Sequence, residues 1–268
     1  MKKGFTLAEL MGVIVIMAAI ALIIIPVVDK QLREGKNEIY NDAIDSIKDS
    51  MNLFMTDKKL ESNESMTVTL YQLKQAGLID LDVKNPTNGE LFANDMLITA
   101  TNENGIMNYN VDTEGSNKSN YEDIPKLSLN VPVYEVIDLG DDFSADITDV
   151  TTTSETEPTI TNNVNTGEIG SYQVIYEVNE NKIIKTVIVR DITGPTIDFE
   201  TLNISLSKAK TYDFLSDITV SDKGCTKDEI NVKVETNFGT LTGTYSVKYI
   251  ATDKYGNETV KYRKVITS

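Results

Sequence analysis

The sequence predicts an α+β protein: a long N-terminal helix, partly transmembrane, carrying a small αβ head and followed by two all-β sandwiches. Three observations predict this. An uncharged run from Leu10 to Val28 is followed by apolar residues at helical spacing as far as Phe54. A short helix and a hairpin are signalled between residues 61 and 111. From residue 124 onward, alternating strands and Gly/Asn/Asp turns recur at an offset near 70 residues, long enough for a small sandwich each time.

The run from Leu10 to Val28 would span about 28 Å as a helix, close to the hydrocarbon thickness of a bilayer. No small-residue cleavage site lies between it and the polar Asp29-Lys30-Gln31, so it reads as a membrane segment and not as a secretory signal. Lys2 and Lys3 before the run, with an acidic remainder after it, place the N-terminus on the cytoplasmic side. Glu9 stands at the edge of the apolar segment, where a carboxylate costs a few kcal/mol and calls for a partner. Pro26 lacks an N–H and would meet the carbonyl of Leu22, so it is expected to kink or locally melt the helix.

The residues Lys3-Gly4-Phe5-Thr6-Leu7-x-Glu9 resemble the cleavage and methylation motif of type IV prepilins and pseudopilins. The resemblance implies cleavage after Gly4 by a prepilin peptidase and N-methylation of Phe5. It also implies that Glu9 pairs with the Phe5 amine of a neighbouring subunit during assembly, and that Pro26 is the helix-kinking proline of many pilins. Residues 1–4 would then be a leader and residues 5–28 the transmembrane and assembly helix. The implied partners are the peptidase, other pilin subunits, the cell membrane, and a host or surface ligand. The implied location is the cell membrane before assembly and the pilus filament at the cell surface afterwards. A pseudopilin of a type II-like secretion or DNA-uptake machine is the alternative, and a single-pass membrane-anchored surface protein the plainer one.

Beyond Asp29, the positions Leu32, Ile39, Ala43, Ile44, Ile47, Met51 and Phe54 form one stripe of an amphipathic helix. A continuous helix from Phe5 to Met55 would run about 77 Å. Residues 29–123 hold this helix and the head. Met66 to Leu70 lead into a short helix from Leu70 to Ala76 capped by Gly77, Asn85 to Gly89 form a turn, and strands at 96–101 and 105–111 are joined by Asn102-Glu103-Asn104-Gly105. This order is similar to that of minor pilin and pseudopilin heads. The polar stretch 114–123 reads as a linker.

Two modules follow, 124–190 and 191–268. Gly170-x-Tyr172-x-Val174-x-Tyr176 matches Gly243-x-Tyr245-x-Val247-x-Tyr249 at an offset of 73, and Phe143-x-x-Asp146-Ile147-Thr148 matches Phe214-x-x-Asp217-Ile218-Thr219 at 71. The modules are similar to bacterial immunoglobulin-like domains, most typically in the block Gly243 to Asn257. The alternating tyrosines are expected in cores or cross-strand pairs.

Charge and composition narrow the function. The chain has a formal charge of −16, and residues 57–123 and 124–190 each carry −7. Such a surface repels phosphate backbones, which disfavours nucleic acid as a partner. There is no His, so no nucleophile and base constellation supports an enzyme. The single Cys225 has no partner for an internal disulfide and reads as an incidental loop residue. No cofactor is expected; Asp191, Asp222 and Asp253 are candidates for Ca²⁺, with turn capping their plainer role. An isopeptide bond would need a buried Lys beside a buried acid.

Overall fold

The computed structural model describes residues 7–268, so Gly4 and Phe5 lie outside the described residues, as does the side chain of Glu9. The chain opens with helix α1 (Leu7–Phe54), 48 residues or about 72 Å. It is long and apolar enough to cross a membrane. Pro26 does not melt it: the helix runs unbroken through that residue, and the proline is exposed. In the first half of α1, large apolar side chains such as Val15, Leu22 and Ile25 stand exposed. In the second half the predicted stripe divides. Ile47 and Met51 are fully buried, whereas Leu32 and Ile39 remain exposed, although Tyr40 beside Ile39 stands against Phe92 of the head, with ring centroids 6.2 Å apart.

The chain then forms two compact units. Unit 1 comprises Met1–Ser128, Thr151–Thr159 and Tyr176–Ile184; unit 2 comprises Leu129–Val150, Ile160–Ile175 and Lys185–Ser268. Residues of the 124–190 segment therefore belong to both.

In unit 1, β1 (Ser65–Thr69) leads directly into α2 (Leu70–Gln75), and β2 (Leu97–Glu103) and β3 (Ile106–Asp112) complete an antiparallel sheet in the order β1-β2-β3. β1 was hidden in the sequence as a lead-in to the helix; its Met66 and Val68 are fully buried. Thr69 caps α2 in a reciprocal box with Gln72, and Gly77, at φ +69°, ends it in the left-handed conformation that favours glycine. The predicted hairpin turn is tighter than expected. Glu103 pairs with Ile106, leaving Asn104 (φ 53°) and Gly105 (φ 89°) as a two-residue turn whose positive φ values match a type I′ loop. α1 packs on β2, β3 and α2, and Ser50 Oγ donates to the carbonyl of Leu78 at 3.0 Å.

The stretch 114–123 is not a free linker. Asp95 accepts from the backbone N–H groups of Ser116 (3.2 Å) and Asn117 (2.9 Å), and buried Asn117 accepts from Asn94 N at 2.7 Å. A Cβ on Gly115 would lie 2.6 Å from that of Ala93. The polar composition that suggested a linker is used instead for local side-chain to backbone bonds.

The later strands form two sets with one plan. β4 (Leu127–Leu129) pairs with β6 (Val150–Thr152), and β5 (Tyr134–Asp138), β7 (Thr159–Asn162), β8 (Gly170–Val178) and β9 (Asn181–Arg190) form a sheet in the order β5-β9-β8-β7. Then β10 (Thr196–Asp198) pairs with β12 (Thr219–Ser221), and β11 (Leu202–Ile204), β13 (Asn231–Glu235), β14 (Gly243–Thr252) and β15 (Glu258–Thr267) form the order β11-β15-β14-β13. In each set the first strand of the four-stranded sheet runs parallel to the last. These are sandwich-like sheets, and the repeat in sequence is a repeat in topology.

Along β8 and β14 the repeated residues alternate as the sequence predicts, with Val174, Tyr176, Val247 and Tyr249 fully buried. Tyr172 and Tyr245 occupy the outer repeat positions, and each hydroxyl donates to a carbonyl four residues upstream, Glu168 at 2.9 Å and Leu241 at 2.5 Å. The core of the last set gathers Ile197, Phe214, Val220, Ile230, Val247, Tyr249, Ala251 and Val265.

Candidate functional site

Three strands of unit 2 end at the same place, each followed at once by an aspartate. Asp191 follows β9, Asp222 follows β12 and Asp253 follows β14. With Cys225 they form a group in which one potential donor atom from each residue lies within 4.8 Å of the others. Convergence of the three carboxylates depends on strand order, because they are separated by about 30 residues along the chain.

The Asp253 carboxylate organises its own loop. Oδ1 accepts from the N–H groups of Tyr255 and Asn257, both at 2.8 Å, and Oδ2 accepts from Asn257 Nδ2 at 2.8 Å. Gly256, at φ +91°, makes the turn possible. Asn257 Nδ2 also donates to the carbonyl of Asp191 at 3.0 Å, joining this loop to the end of β9. Asp222 Oδ1 accepts from Gly224 N at 2.8 Å, the turn-capping role that composition suggests for such residues.

Asp191 differs from both. It is 6% exposed, and its Oδ1 is buried without a hydrogen-bond partner. Cys225 Sγ lies 4.0 Å from Oδ2. Gly224 packs against the carboxylate so closely that an added Cβ would lie 2.2 Å from Oδ2 and 2.9 Å from Cγ. Burial, followed by the neighbouring Asp222 carboxylate, pushes the Asp191 carboxyl up to about 6. Burial likewise pushes the Cys225 thiol up, which disfavours the thiolate at neutral pH.

The nearby lysines are engaged elsewhere. Lys223 Nζ reaches Asp141 (3.0 Å) and Asp138 (3.4 Å), and Lys254 Nζ reaches both carboxylate oxygens of Glu229 at 3.1 Å. Asp138 is further held by Ile192 N and the Thr193 hydroxyl, both at 2.9 Å. The cluster is thus three carboxylates and a neutral thiol without a cationic side chain among them.

Of the residues singled out in the sequence, Asp191, Asp222 and Asp253 come together. Pro26 lies within α1. Sequence reasoning did not associate Cys225, Gly224 or Asn257 with the aspartates; the one available signal was a glycine two or three residues after each aspartate, followed directly by Cys225 after Asp222 and by Asn257 after Asp253. The isopeptide requirement is met only in half. In unit 1, buried Lys74 donates to the side-chain oxygen of buried Asn94 at 2.9 Å, but among the described residues no carboxylate hydrogen-bonds to either. In unit 2, buried Lys185 pairs with Glu135 at 2.7 Å, without an Asn or Asp as acyl donor in that pair.

No family model matches the chain, and no curated protein matches it. Among solved structures, the chain is similar to the fibronectin(III)-like modules of CbhA from Clostridium thermocellum at 14% identity, over 53% of this chain and 94% of that one, with a TM-score of 0.21. The sandwich-like sheets are given by the chain's own strand pairings.

Proposed function

We propose that this chain is a type IV pilin-like filament subunit, of the minor class, that displays two immunoglobulin-like modules for surface adhesion or as a tip or spacer. One observation carries the reading. α1 is a single unbroken helix whose first half exposes large apolar side chains and whose last turns are core to the head. A plain membrane anchor has no need of a stiff helix continuous with a domain core. A subunit that leaves the bilayer and packs its helix among others does, since the same apolar face serves lipid first and neighbouring helices later.

On this reading a prepilin peptidase cuts after Gly4, Phe5 is N-methylated, and Glu9 pairs with the Phe5 amine of an adjacent subunit. The buried cost of an unpaired carboxylate then sets the axial register. The acidic middle of the molecule and the bulk of the two modules suit a sparsely placed or terminal subunit.

Mass spectrometry of the exported chain tests the proposal. A mature N-terminus at methylated Phe5 and loss of filament incorporation in Glu9→Ala are expected. A chain that keeps Met1, or filaments that incorporate Glu9→Ala as well as the parent, would refute it. Immunogold labelling of sheared filaments tests the minor class, which requires sparse or terminal label.

A further inference from the structure

We propose that Asp191, Asp222 and Asp253 form a site for a hard divalent cation, Ca²⁺, that ties together the three loops at this end of unit 2. The proposal is independent of the filament reading. It does not rest on the acidic cluster alone, because the second observation is the orphaned oxygen. Asp191 is more than nine-tenths buried, it sits within the cluster, and its Oδ1 has no hydrogen-bond partner. A buried carboxylate oxygen left unmatched costs more than its neighbours can return, so its natural partner is a cation. Among the described residues no lysine or arginine bonds to that oxygen, and Lys223 and Lys254 pair with Asp138, Asp141 and Glu229.

Size and donor type select the ion. Ca²⁺ takes oxygen ligands at about 2.3–2.6 Å, so donors on opposite sides of it stand about 4.6–5.2 Å apart. One donor atom from each aspartate, and the Cys225 sulfur with them, lie within 4.8 Å of one another, no farther apart than such a shell allows. Mg²⁺, at about 2.0–2.1 Å, demands near-ideal octahedral geometry, which carboxylates from three separate loops suit less well than the flexible shell of Ca²⁺. Zn²⁺ would favour the Cys225 sulfur as thiolate, which burial disfavours. The three carboxylates supply the charge, and waters complete the shell, as flexible Ca²⁺ sites allow. Gly224 belongs to the site for a steric reason: only a residue without a Cβ lets the 222–225 turn lie against the Asp191 carboxylate.

The test is calcium titration of the full chain in detergent micelles after chelator treatment, followed by calorimetry and by thermal unfolding. One ion per chain is expected, with a dissociation constant of about 10⁻⁴–10⁻³ M, as in extracellular calcium modules. A rise in the unfolding temperature is expected with CaCl₂ and a smaller one with MgCl₂. Asp222→Asn keeps the acceptor for Gly224 N and should weaken binding at least tenfold, whereas Cys225→Ser should bind as the parent does. Gly224→Ala should also weaken binding; if it fails to fold, Asp222→Asn still decides. Absence of any calcium response in folded parent chain would overturn the proposal, leaving a proton as what satisfies Asp191. So would a calcium response unchanged in Asp222→Asn, or a response to Zn²⁺ alone that Cys225→Ser abolishes.

Discussion

Asp217 and Arg263 form a two-pronged ion pair inside unit 2, with Nη1 and Nη2 each 2.7 Å from one carboxylate oxygen. Arg263 is 2% exposed, and its Nε also donates to the carbonyl of Glu200 at 2.7 Å. The pairing holds the Asp217 carboxyl below the usual carboxylate range, chiefly through the guanidinium hydrogen bond. Removing one partner of a buried pair strands the other charge, so Asp217→Ala should destabilise unit 2 by about 3 kcal/mol. Arg263→Met, which removes the buried charge itself, should cost less than Asp217→Ala. Urea denaturation of the two variants checks the ranking, and equal losses would contradict it.

Within unit 1, Gln72 is bonded to Ile184 in the first half of β9. Its Oε1 accepts from Thr69 N (3.0 Å) and Ile184 N (2.9 Å), and its Nε2 donates to the carbonyl of Ile184 at 2.8 Å. Gln72→Ala leaves several buried backbone groups unmatched and should cost about 3 kcal/mol. Hydrogen exchange at the Ile184 amide should accelerate markedly; unchanged protection there would show that the contact contributes nothing.

Lys74 gives unit 1 a pH dependence with a definite sign. Burial pushes its amine from 10.5 down to about 8, so between those values the unfolded chain binds more protons than the folded one. Stability should therefore rise with pH across that window, and the penalty for the buried charge should be fully present below about 8. Denaturation midpoints measured from pH 7.5 to 10.5 should show the rise, and Lys74→Met should remove this component of it.

The turn at Asn104-Gly105 offers a backbone test. Gly105 adopts φ 89°, where a side chain is strained, yet a Cβ there would meet nothing within 4 Å. Gly105→Ala should cost about 1–2 kcal/mol from backbone strain alone. Asn104→Gly should change stability by a few tenths at most, because asparagine and glycine both tolerate positive φ. Thermal unfolding of the pair distinguishes strain from lost contacts.

Much of the fold was legible because its signals are local. The helical stripe that includes Ile47 and Met51, the Gly77 cap and the inward alternation of Val247 and Tyr249 each depend on residues a few places apart. The same method misread 114–123, where Asp95 binds Ser116 and Asn117 from about 20 residues away, a relationship without periodicity. It also left Cys225 as an isolated loop residue, because its neighbours Asp191 and Asp253 lie on other loops.

The sequence by itself determined a long apolar helix and two repeats of alternating strands, since spacing along the chain dictates which side of each element is apolar. The tertiary structure alone decided that Asp191 meets Asp222 and Asp253, that Asp217 finds Arg263, and that Gln72 reaches Ile184. Each of these joins residues about 30 to more than 100 positions apart. Strand order and close packing select such pairs from many equivalent polar residues, and neither leaves a mark on the local pattern.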